Sequence, residues 1–409
     1  MKPSLLFFED QAARSFHPFS LTRPLGELLF GVFLLRERGE RFWGVPCVGH
    51  ISSGDLRGFR EPDAPGVVMG DPTDGSATRI LQSSRFAPAT SAQAPKMPEG
   101  PATLFCRGEV VGFIFPPGVP LPPMEALAAP RPIPDSNALE LEGTVFHAPW
   151  DLMSRNGDQL RKDIPRFFPG YAAEEVTGCH VLGDGLLSLG TNVEVEPGSV
   201  FDLRKGPIRL SDGAKVQAHT RLAGPAYVGP GTTVLGGVLS EVSLGPVCKV
   251  RGEVECSVIL GYSNKAHDGF LGHAYLGRWV NLGAFTTNSD LKNNYGPVRV
   301  GGAEGPVDTG LMKVGAFLGD HVKTGIGTLL NTGTVVGAGS NVFGGAMPPS
   351  YVPPFSWGSG SELVEFRLDK FLEVASRAMG RRQVELDSDM EDLFRRAWER
   401  SRGERLRKS

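Results

Sequence analysis

The chain has 409 residues, 40% of them hydrophobic, with a net charge of −3 and an isoelectric point near 6.3. This length allows two or three domains, and the slight acidity excludes a basic field for binding nucleic acid. Five scattered cysteines without a CxxC pair exclude a disulfide framework and a zinc finger, and no apolar run has the length of a signal peptide or a membrane span. We therefore expect a cytoplasmic protein with neither a nucleic-acid nor a membrane partner.

The N-terminal part of the chain is predicted to form an α/β domain over residues 1–145. SLLFF at residues 4–8 is typical of a short buried strand. Four apolar residues then recur at helical spacing: Leu28, Leu29, Val32 and Leu35. They predict a helix over residues 26–39, followed by short strands and Pro/Gly loops up to residue 135.

A loop with two arginines follows the first strand. Residues 14–24, RSFHPFSLTRP, loosely resemble the signature loop of sugar nucleotidyltransferases. The resemblance implies that Arg14 and Arg23 bind substrate phosphates, which arginine can do bidentately. Leu25 stands where that family has a lysine and no glycine precedes Gly26, so the phosphate cradle is incomplete. A structural role for the two arginines, as caps or salt-bridge partners, stays open.

Three aspartates are candidate magnesium ligands for a working nucleotidyltransferase: Asp63, Asp71 and Asp74. A solvated DPTDG turn accounts for the last two without a metal, so no residue is assigned to a metal site. Further along, Pro149-Trp-Asp-Leu152 resembles the PWDL segment with which many sugar-phosphate nucleotidyltransferases enter a β-helix. Pro149 suits the first position of a helix that we expect to reach Ile164, within a linker over residues 146–175.

The centre of the chain repeats every six residues. The most regular set is Leu210, Val216, Leu222, Val228 and Val234. A period of six fits neither a helix nor a simple strand and indicates a β-helix, in which each flat face turns one side chain inward. Further sets are Leu244 and Val250; Phe270, Leu276 and Leu282; and Leu318, Thr324, Leu330, Val336 and Val342. We expect the β-helix to occupy residues 176–346.

The most informative motif is SNKAHDGFLG at residues 263–272, followed by LGRWVNLGA at 276–284. It resembles the acetyltransferase half of the bifunctional N-acetylglucosamine-1-phosphate uridyltransferase and glucosamine-1-phosphate acetyltransferase. That family carries Lys-Ala-x-His-x-x-Tyr-Leu-Gly, then Val-Asn-Ile-Gly-Ala. Bacterial sugar nucleotidyltransferases of the same group also share three further segments: NSDLKNNYGPV from Asn288, TGIGTLLNTGTVVGAGSNVFGG from Thr324 and VPPFSWG from Val352. The resemblance implies a left-handed parallel β-helix, a homotrimer and acyl-transfer sites between subunits.

His267 and Asn281 are the predicted catalytic residues. Acyl transfer to an amine needs a base that works near neutral pH, which histidine supplies. Asn281 would orient the amine or support the oxyanion, and the backbone at Gly283 and Ala284 would contact the cofactor, acetyl-CoA. Phe270 stands where the family has a tyrosine. Glu255 stands near the position at which the family has a lysine that binds the sugar phosphate. Both departures disfavour glucosamine 1-phosphate itself as the acceptor.

Three more residues are candidate substrate ligands: Lys265, Asn288 and Lys292. The last opens an insertion, residues 292–309, of the kind that forms the binding face of a coil. Simple solvation of the two lysines is an alternative. Zinc held as in β-helical carbonic anhydrases is a further alternative, with His219, His267 and His273 as ligands. His267 and His273 lie one hexad apart and should diverge, which disfavours a shared metal.

The C-terminal part, residues 347–409, is predicted to hold an extended strap up to Trp357 and two helices. A capping box at Ser388 and Glu391 would open the second helix, and both helices have one apolar face. We expect them to cover the open end of the coil or a neighbouring subunit.

The leading hypothesis is a sugar-nucleotide pathway transferase. Acetyl-CoA dependent acyl transfer to an amino sugar would occur at the β-helix, beside a degenerate nucleotidyltransferase domain. The partners would be a small-molecule sugar phosphate or sugar nucleotide and further copies of the chain. Two alternatives are an active sugar-1-phosphate nucleotidyltransferase using a nucleoside triphosphate and Mg²⁺, and a non-catalytic trimeric scaffold.

Overall fold

A computed structural model describes residues 2–170, 176–360 and 362–406. Within these residues an N-terminal α/β domain is followed by a long parallel β-helix and C-terminal helices. The predicted combination of an α/β domain with a parallel β-helix is thereby confirmed. The last residues of the expected linker, 171–175, lie outside the described part.

The N-terminal domain is built on a mixed seven-stranded sheet. The strands of the domain are β1 (Ser4–Phe8), β2 (Leu29–Phe30), β3 (Phe33–Leu34), β4 (Cys47–Ile51), β5 (Val67–Val68), β6 (Arg79–Ser83), β7 (Phe86–Pro88), β8 (Ala102–Cys106), β9 (Glu109–Phe115), β10 (Asn137–Glu140) and β11 (Gly143–Val145). Strand β2 pairs with β3 and β7 pairs with β11, and the other seven strands form the sheet. The sheet order is β10-β8-β9-β6-β1-β4-β5, with β9 antiparallel to its neighbours. The carboxyl ends of the other six strands therefore lie at one edge, where open α/β sheets bind ligands.

Short helices surround this sheet and lead out of the domain. They are α1 (Gln11–Arg14), a 3-10 turn (Leu25–Glu27), α2 (Leu35–Trp43), a second 3-10 turn (Gly54–Leu56), α3 (Met124–Ala128), α4 (Pro149–Ser154) and α5 (Asn156–Phe167). The predicted helix from Pro149 to Ile164 is thus wrong in one respect, because it is divided at Arg155. The division lets the buried Asn156 side chain accept from the N–H of Gly31 at 2.9 Å and donate to Ser243 of the β-helix at 2.9 Å.

The predicted helix over residues 26–39 is also wrong. The chain instead forms the β2–β3 hairpin, turned at Gly31 with φ +66°, before α2 begins at Leu35. A Cβ at Gly31 would stand 2.2 Å from the carboxylate of Asp163, so the hairpin fits closely against α5. Leu28, Leu29 and Val32 are buried, as their apolar character requires, but packing against other elements decides their conformation.

The β-helix is made of short strands from His180 onward. They are β12 (His180–Leu182), β13 (Leu187–Leu189), β14 (Glu194–Val195), β15 (Val200–Asp202), β16 (Ile208–Leu210), β17 (Lys215–Val216), β18 (Thr220–Val228), β19 (Thr233–Leu244), β20 (Lys249–Glu255), β21 (Val258–Gly261), β22 (Asn264–Lys265), β23 (Phe270–Gly272), β24 (Tyr275–Arg278), β25 (Thr287–Asn288), β26 (Arg299–Val300), β27 (Val307–Asp308), β28 (Phe317–Leu318), β29 (Lys323–Thr324), β30 (Leu329–Leu330), β31 (Val335–Val336), β32 (Asn341–Val342), β33 (Tyr351–Val352), β34 (Ser356–Ser359) and β35 (Glu362–Glu365).

These strands stack in register on three faces. Face A includes β12, β15 and β23, face B includes β13, β16, β21, β24, β28, β31 and β33, and face C includes β14, β17, β22, β29, β32 and β34. The longer β18 and β20 each bend around one corner from one face to the next, and β19 bends around two. One full circuit of the three faces is called a rung below.

The predicted inward residues form the core of this coil, with one exception. Leu210, Val216, Leu222, Val228 and Val234 are at most 1% exposed. Phe270 was expected to point inward, but Leu271 does so, in register with Val254, and Phe270 faces outward. Leu276 comes five positions after Leu271, so the six-residue spacing is broken at this corner.

The chain leaves and re-enters the coil between Asn288 and Phe317. The insertion contains the antiparallel β26–β27 hairpin, and its valines pack beside face B. The Asn288 side chain points inward at 2% exposure and exchanges two hydrogen bonds with the backbone of Gly272, at 2.9 and 3.0 Å. These two side-chain bonds take the place of backbone hydrogen bonds between rungs at the point where the insertion begins.

The coil continues beyond the expected strap. Residues 351–352 and 356–359 pair as β33 and β34 with the preceding rungs, so the coil extends to Ser359 rather than ending near 346. Three helices follow: α6 (Leu368–Gly380), α7 (Ser388–Arg400) and α8 (Arg402–Leu406). The N-cap of α7 is Asp387, which accepts from the N–H of Met390, so the predicted cap at Ser388 is one residue late.

Helices α6 and α7 lie along the side of the coil. They cover an aromatic column at the corner between faces B and C, in which Tyr262, Trp279 and His321 follow one another with ring separations of 4.6 and 6.1 Å. Phe371 of α6 and Phe394 of α7 pack edge-on against His321. Within the described residues, the helices therefore cover a corner rather than an open end.

Candidate functional site

His267 and Asn281 lie on successive rungs at the same part of the coil. Asn264, Asn281 and Lys323 are register partners on the outward side of face C. His267 follows on the corner between faces C and A, three residues after Asn264. The Phe285 N–H donates to the Asp268 carbonyl at 2.9 Å, which joins the His267 corner to the corresponding corner of the next rung. The structure thus brings the two predicted catalytic residues into one neighbourhood.

Small residues separate the face C column from the corner. They are Ala266, Gly283, Ala284 and Gly325, which we call the small-residue strip. A Cβ added at Gly283 would stand 2.5 Å from the carbonyl group of Gly325, so glycine is needed where these rungs approach each other. With no side chain longer than a methyl group, the strip leaves room for a narrow ligand beside His267.

Apolar side chains continue the His267 corner along the coil. Phe285 is 63% and Ile326 77% exposed, and Leu329 on the adjacent face A is 46% exposed. Phe343 and Trp357 lie farther along face C, where Trp357 is in register with Asn341, and their ring centroids are 4.6 Å apart. Exposed apolar residues in one contiguous line are typical of a surface that contacts a ligand or another chain.

The two predicted catalytic side chains have free hydrogen-bonding capacity. His267 is exposed, and its ring has no hydrogen-bond partner among the described residues. The Asn281 Oδ1 accepts from Asn264 Nδ2 at 3.3 Å, which leaves the Asn281 amide N–H groups available. An imidazole on one rung and an amide donor on the next fit general base catalysis with oxyanion support.

The other residues predicted for this site are placed differently. Lys265 is 2% exposed inside the coil, and Asn288 is bound to Gly272 as described above. The Gly283 N–H donates to the Thr324 carbonyl at 3.1 Å, and the Ala284 carbonyl accepts from Gly327 at 2.8 Å. Lys292 donates to the Pro297 carbonyl at 3.0 Å within the insertion. The Gly283 N–H is therefore already engaged, so a contact of a cofactor with Gly283 would rest on shape.

Arg23 joins the N-terminal domain to the coil. Its Nε lies 2.9 Å from Asp320 of the coil and its Nη2 lies 2.7 Å from Glu61. Arg278 pairs with the other oxygen of Glu61 at 2.9 Å, and all four side chains are at most 7% exposed. We call these four residues the interdomain clamp. All three guanidinium nitrogens of Arg23 thus bond to carboxylates of the protein, which is the structural alternative to a phosphate contact.

Residues other than the clamp fill the sheet edge at the carboxyl ends of β1 and β4. Glu9 directly follows β1 and is 1% exposed; it accepts from the Ser52 hydroxyl and from the Leu25 N–H. Burial raises the pKa of this carboxyl group. Arg14, also predicted to bind phosphate, is half-buried at the end of α1, and its Nε is a buried atom without a partner. The carboxyl ends of β1 and β4 are therefore packed against other parts of the chain.

A cleft missed by the sequence analysis opens farther along the same edge. It has a volume of about 920 Å³ and lies where β8 and β10 end. Its charged lining residues are Arg107, Glu140, Glu142, Lys162 and Arg166. Arg107 directly follows β8 and Glu140 is the last residue of β10, so both lie at carboxyl ends of strands, where open α/β sheets bind ligands. Three cations with two carboxylates suit a ligand that combines a phosphate with hydroxyl groups.

Two of the three candidate magnesium ligands bond within their own turns. Asp71 binds Thr73 and Asp74 binds Ser76 within their own turns. Across residues 2–170, 176–360 and 362–406, no three His, Cys, Asp or Glu side chains gather closely enough to hold a metal. The same ranges contain no helix with the length and apolar character needed to cross a bilayer.

The chain thus joins a nucleotidyltransferase-like sheet to a parallel β-helix. Residues 5–170 match the family of sugar nucleotidyl transferases. The bifunctional sugar-1-phosphate nucleotidylyltransferase/acetyltransferase of Sulfurisphaera tokodaii is 34% identical over 95 residues, covering 23% of this chain and 24% of that protein. The bifunctional protein GlmU of Nitrosospira multiformis is 26% identical over 180 residues, covering 39% of this chain and 36% of that protein. The predicted resemblance to these bifunctional proteins is confirmed.

Each of these matches spans less than half of the relative's length. Among solved structures, the Arabidopsis UDP-N-acetylglucosamine acyltransferase aligns with a TM-score of 0.26 and 11% identity, covering 51% of this chain and 78% of that chain. The N-acyltransferase AntD from Bacillus cereus, in complex with dTDP-4-amino-4,6-dideoxyglucose and coenzyme A, aligns with a TM-score of 0.22 and 13% identity, covering 52% and 97%. At these scores the similarity does not extend to function.

Proposed function

We propose that the chain transfers an acetyl group from acetyl-CoA to the amino group of a sugar phosphate or sugar nucleotide, at the His267 corner. The observation that carries the proposal is the placement of His267 and Asn281 on successive rungs beside the small-residue strip. The resemblance of residues 263–284 to the acetyltransferase motif of bifunctional relatives supports the same chemistry.

The proposed residues have distinct tasks. Bound acetyl-CoA supplies the thioester. The sugar ammonium first gives one proton to solvent, and His267 takes a second proton from the amine as its nitrogen forms a bond to the thioester carbonyl carbon. The Asn281 amide donates to the oxyanion that forms on that carbon. When the carbon–sulfur bond breaks, the proton held by His267 passes to the leaving thiolate.

We further propose that the chain works as a homotrimer. The exposed apolar line formed by Phe285, Ile326 and Leu329 begins beside His267. Association along this line would remove apolar surface from water and would shield the proposed reaction from solvent. A second subunit would then supply the remaining wall of the site.

The test measures thiol release from acetyl-CoA across a panel of amino-sugar phosphates and nucleotides. We expect His267→Ala to lower turnover by about 10² to 10⁴, the usual contribution of a general base. The matched control is His219→Ala, which changes an exposed histidine at the same corner several rungs away. Equal rates for wild type and His267→Ala, or no thiol release from the wild type with any acceptor, would refute the proposal.

A second candidate function concerns the N-terminal cleft. The family match over residues 5–170 and the 920 Å³ cleft favour binding of a sugar 1-phosphate there. The complete activity would be nucleotidyl transfer to this sugar 1-phosphate from a nucleoside triphosphate, with Mg²⁺. The interdomain clamp engages Arg23 with two carboxylates, which disfavours binding of the nucleoside triphosphate by this residue. Pyrophosphate release that is lost on Arg166→Ala would support transfer, whereas calorimetric binding of a sugar 1-phosphate without pyrophosphate release would support binding alone.

A further inference from the structure

Lys265 occupies an unusual position inside the coil. On face C one residue of each rung points inward, and Val216, Val234 and Val250 fill this position in the preceding rungs. Lys265 follows in register with Val250 and is 2% exposed. Leu282 takes the position in the next rung, and it is again apolar. A lysine thus stands where the fold needs only an aliphatic side chain.

The ammonium group of Lys265 reaches the corner that carries His267. Its Nζ donates to the carbonyl oxygens of Arg251 and His267, both at 2.8 Å. Gly252 makes room for it, since a Cβ there would stand 2.9 Å from Nζ. Among the described residues, no carboxylate lies within 4.0 Å of this ammonium. The side chain therefore ties two successive corners together from inside the coil.

This arrangement is costly for the fold. Burial lowers the pKa of Lys265 to about 8, against the opposing effect of the Asp268 charge. A buried cation paired only with carbonyl groups is less favourable than an aliphatic side chain of similar length, so stability alone would not select it. The two bonds it makes are directed at the backbone of the corner, including the carbonyl of His267 itself.

We propose that Lys265 is the positioning residue of the site, holding the His267 corner so that the imidazole faces the small-residue strip. The inference rests on the proposed function for its catalytic consequence, but not for its structural one. It replaces the earlier expectation that Lys265 binds substrate, because an ammonium enclosed at 2% exposure contacts the corner backbone instead of a ligand.

The experiment compares Lys265→Met with Leu282→Met in the full-length protein. Methionine matches the length of the lysine stem and fits an apolar column, and removal of the buried charge offsets the two carbonyl bonds that methionine cannot make. We expect thermal midpoints within about 3 °C of wild type for both variants. Amide hydrogen exchange of residues 266–269 should accelerate at least tenfold in Lys265→Met alone.

Catalysis gives a second readout. In Lys265→Met, kcat for thiol release should fall by at least tenfold while KM for acetyl-CoA changes less than threefold, because His267 loses its orientation but the strip is intact. Unchanged exchange at residues 266–269, or a large drop in the thermal midpoint, would overturn the positioning role. If the wild type releases no thiol, the acyl-transfer proposal fails, and the exchange measurement still decides the role of Lys265.

Discussion

Arg23 was predicted to bind a substrate phosphate, but in the structure it forms buried salt bridges between two parts of the chain. Its guanidinium lies between Asp320 and Glu61 at 2% exposure, and the Thr22 hydroxyl adds a bond of 2.7 Å to the same aspartate. The loop carrying it is thereby fixed to the coil. A phosphate would have to displace two buried carboxylates to reach this arginine.

We predict that Arg23→Met destabilises the protein by about 3–5 kcal/mol, because it leaves two buried carboxylates without their partner. Arg60→Met is the matched control. Arg60 is 67% exposed and pairs with Asp387 and Asp389 at 3.3 and 3.4 Å, an exposed contact that contributes at most about 1 kcal/mol. Urea unfolding measures both. Equal, small effects would contradict the clamp.

Lys265 also predicts a pH dependence of stability. Its pKa is lowered by burial from an ordinary value of 10.5 to about 8. Between these two values the unfolded chain keeps the proton and the folded chain has lost it, so this residue makes stability rise with pH. Lys265→Met removes the effect. The difference in unfolding free energy between variant and wild type should be largest below pH 8 and shrink towards pH 10.5, measured by urea unfolding.

At the scale of elements, the coil was predictable and the hairpin was not. Each inward residue from Leu210 to Val234 meets the same local requirement, so a period of six is visible without knowing any distant contact. The β2–β3 hairpin instead depends on Gly31 meeting Asp163 and on Leu29 bonding to the Tyr275 hydroxyl at 2.8 Å. Those partners are far away in the sequence, and tertiary packing overrides the helical spacing.

Helix α6 offers a test of how the C-terminal helices contribute. Phe371 is 2% exposed and packs edge-on against Phe355, Phe394 and His321. We predict that Phe371→Ala lowers the unfolding free energy by about 3–5 kcal/mol, because it leaves a cavity between helices and coil. Val374→Ala, at a 38% exposed position of the same helix, should cost less than about 1 kcal/mol. Similar losses in both variants would mean that α6 is not anchored by this corner.

The residues of the candidate site that lie in one contiguous motif were predictable from the sequence, and those that folding brings together were not. His267 and Asn281 came from a contiguous motif, and the register of Asn264 with Asn281 places them together. Lys265 and Asn288 belong to the same segments, but whether they point inward depends on the rung register, which shifts at Leu271. The N-terminal cleft joins β8, β10 and α5, and no continuous stretch of sequence contains all its lining residues.

At the scale of the whole molecule, the apolar line beside His267 is the surface through which we propose that copies of the chain assemble. Face B is covered by the N-terminal domain through Tyr275 and Phe317, and helices α6 and α7 cover the corner between faces B and C. The corner between faces C and A keeps Phe285 and Ile326 exposed at 63% and 77%. It is therefore the side of the coil on which we expect further copies of the chain to pack.

We predict that the wild-type protein sediments as a trimer and that Ile326→Glu dissociates it, because a carboxylate in a buried apolar contact loses its hydration without gaining a partner. Val364→Glu is the control, at a 58% exposed position of β35. Analytical ultracentrifugation over a range of concentrations measures the assembly state. A monomeric wild type, or a trimer that survives Ile326→Glu, would exclude this corner as the interface. If the site needs two subunits, thiol release should fall together with trimer content in Ile326→Glu and stay at the wild-type level in Val364→Glu.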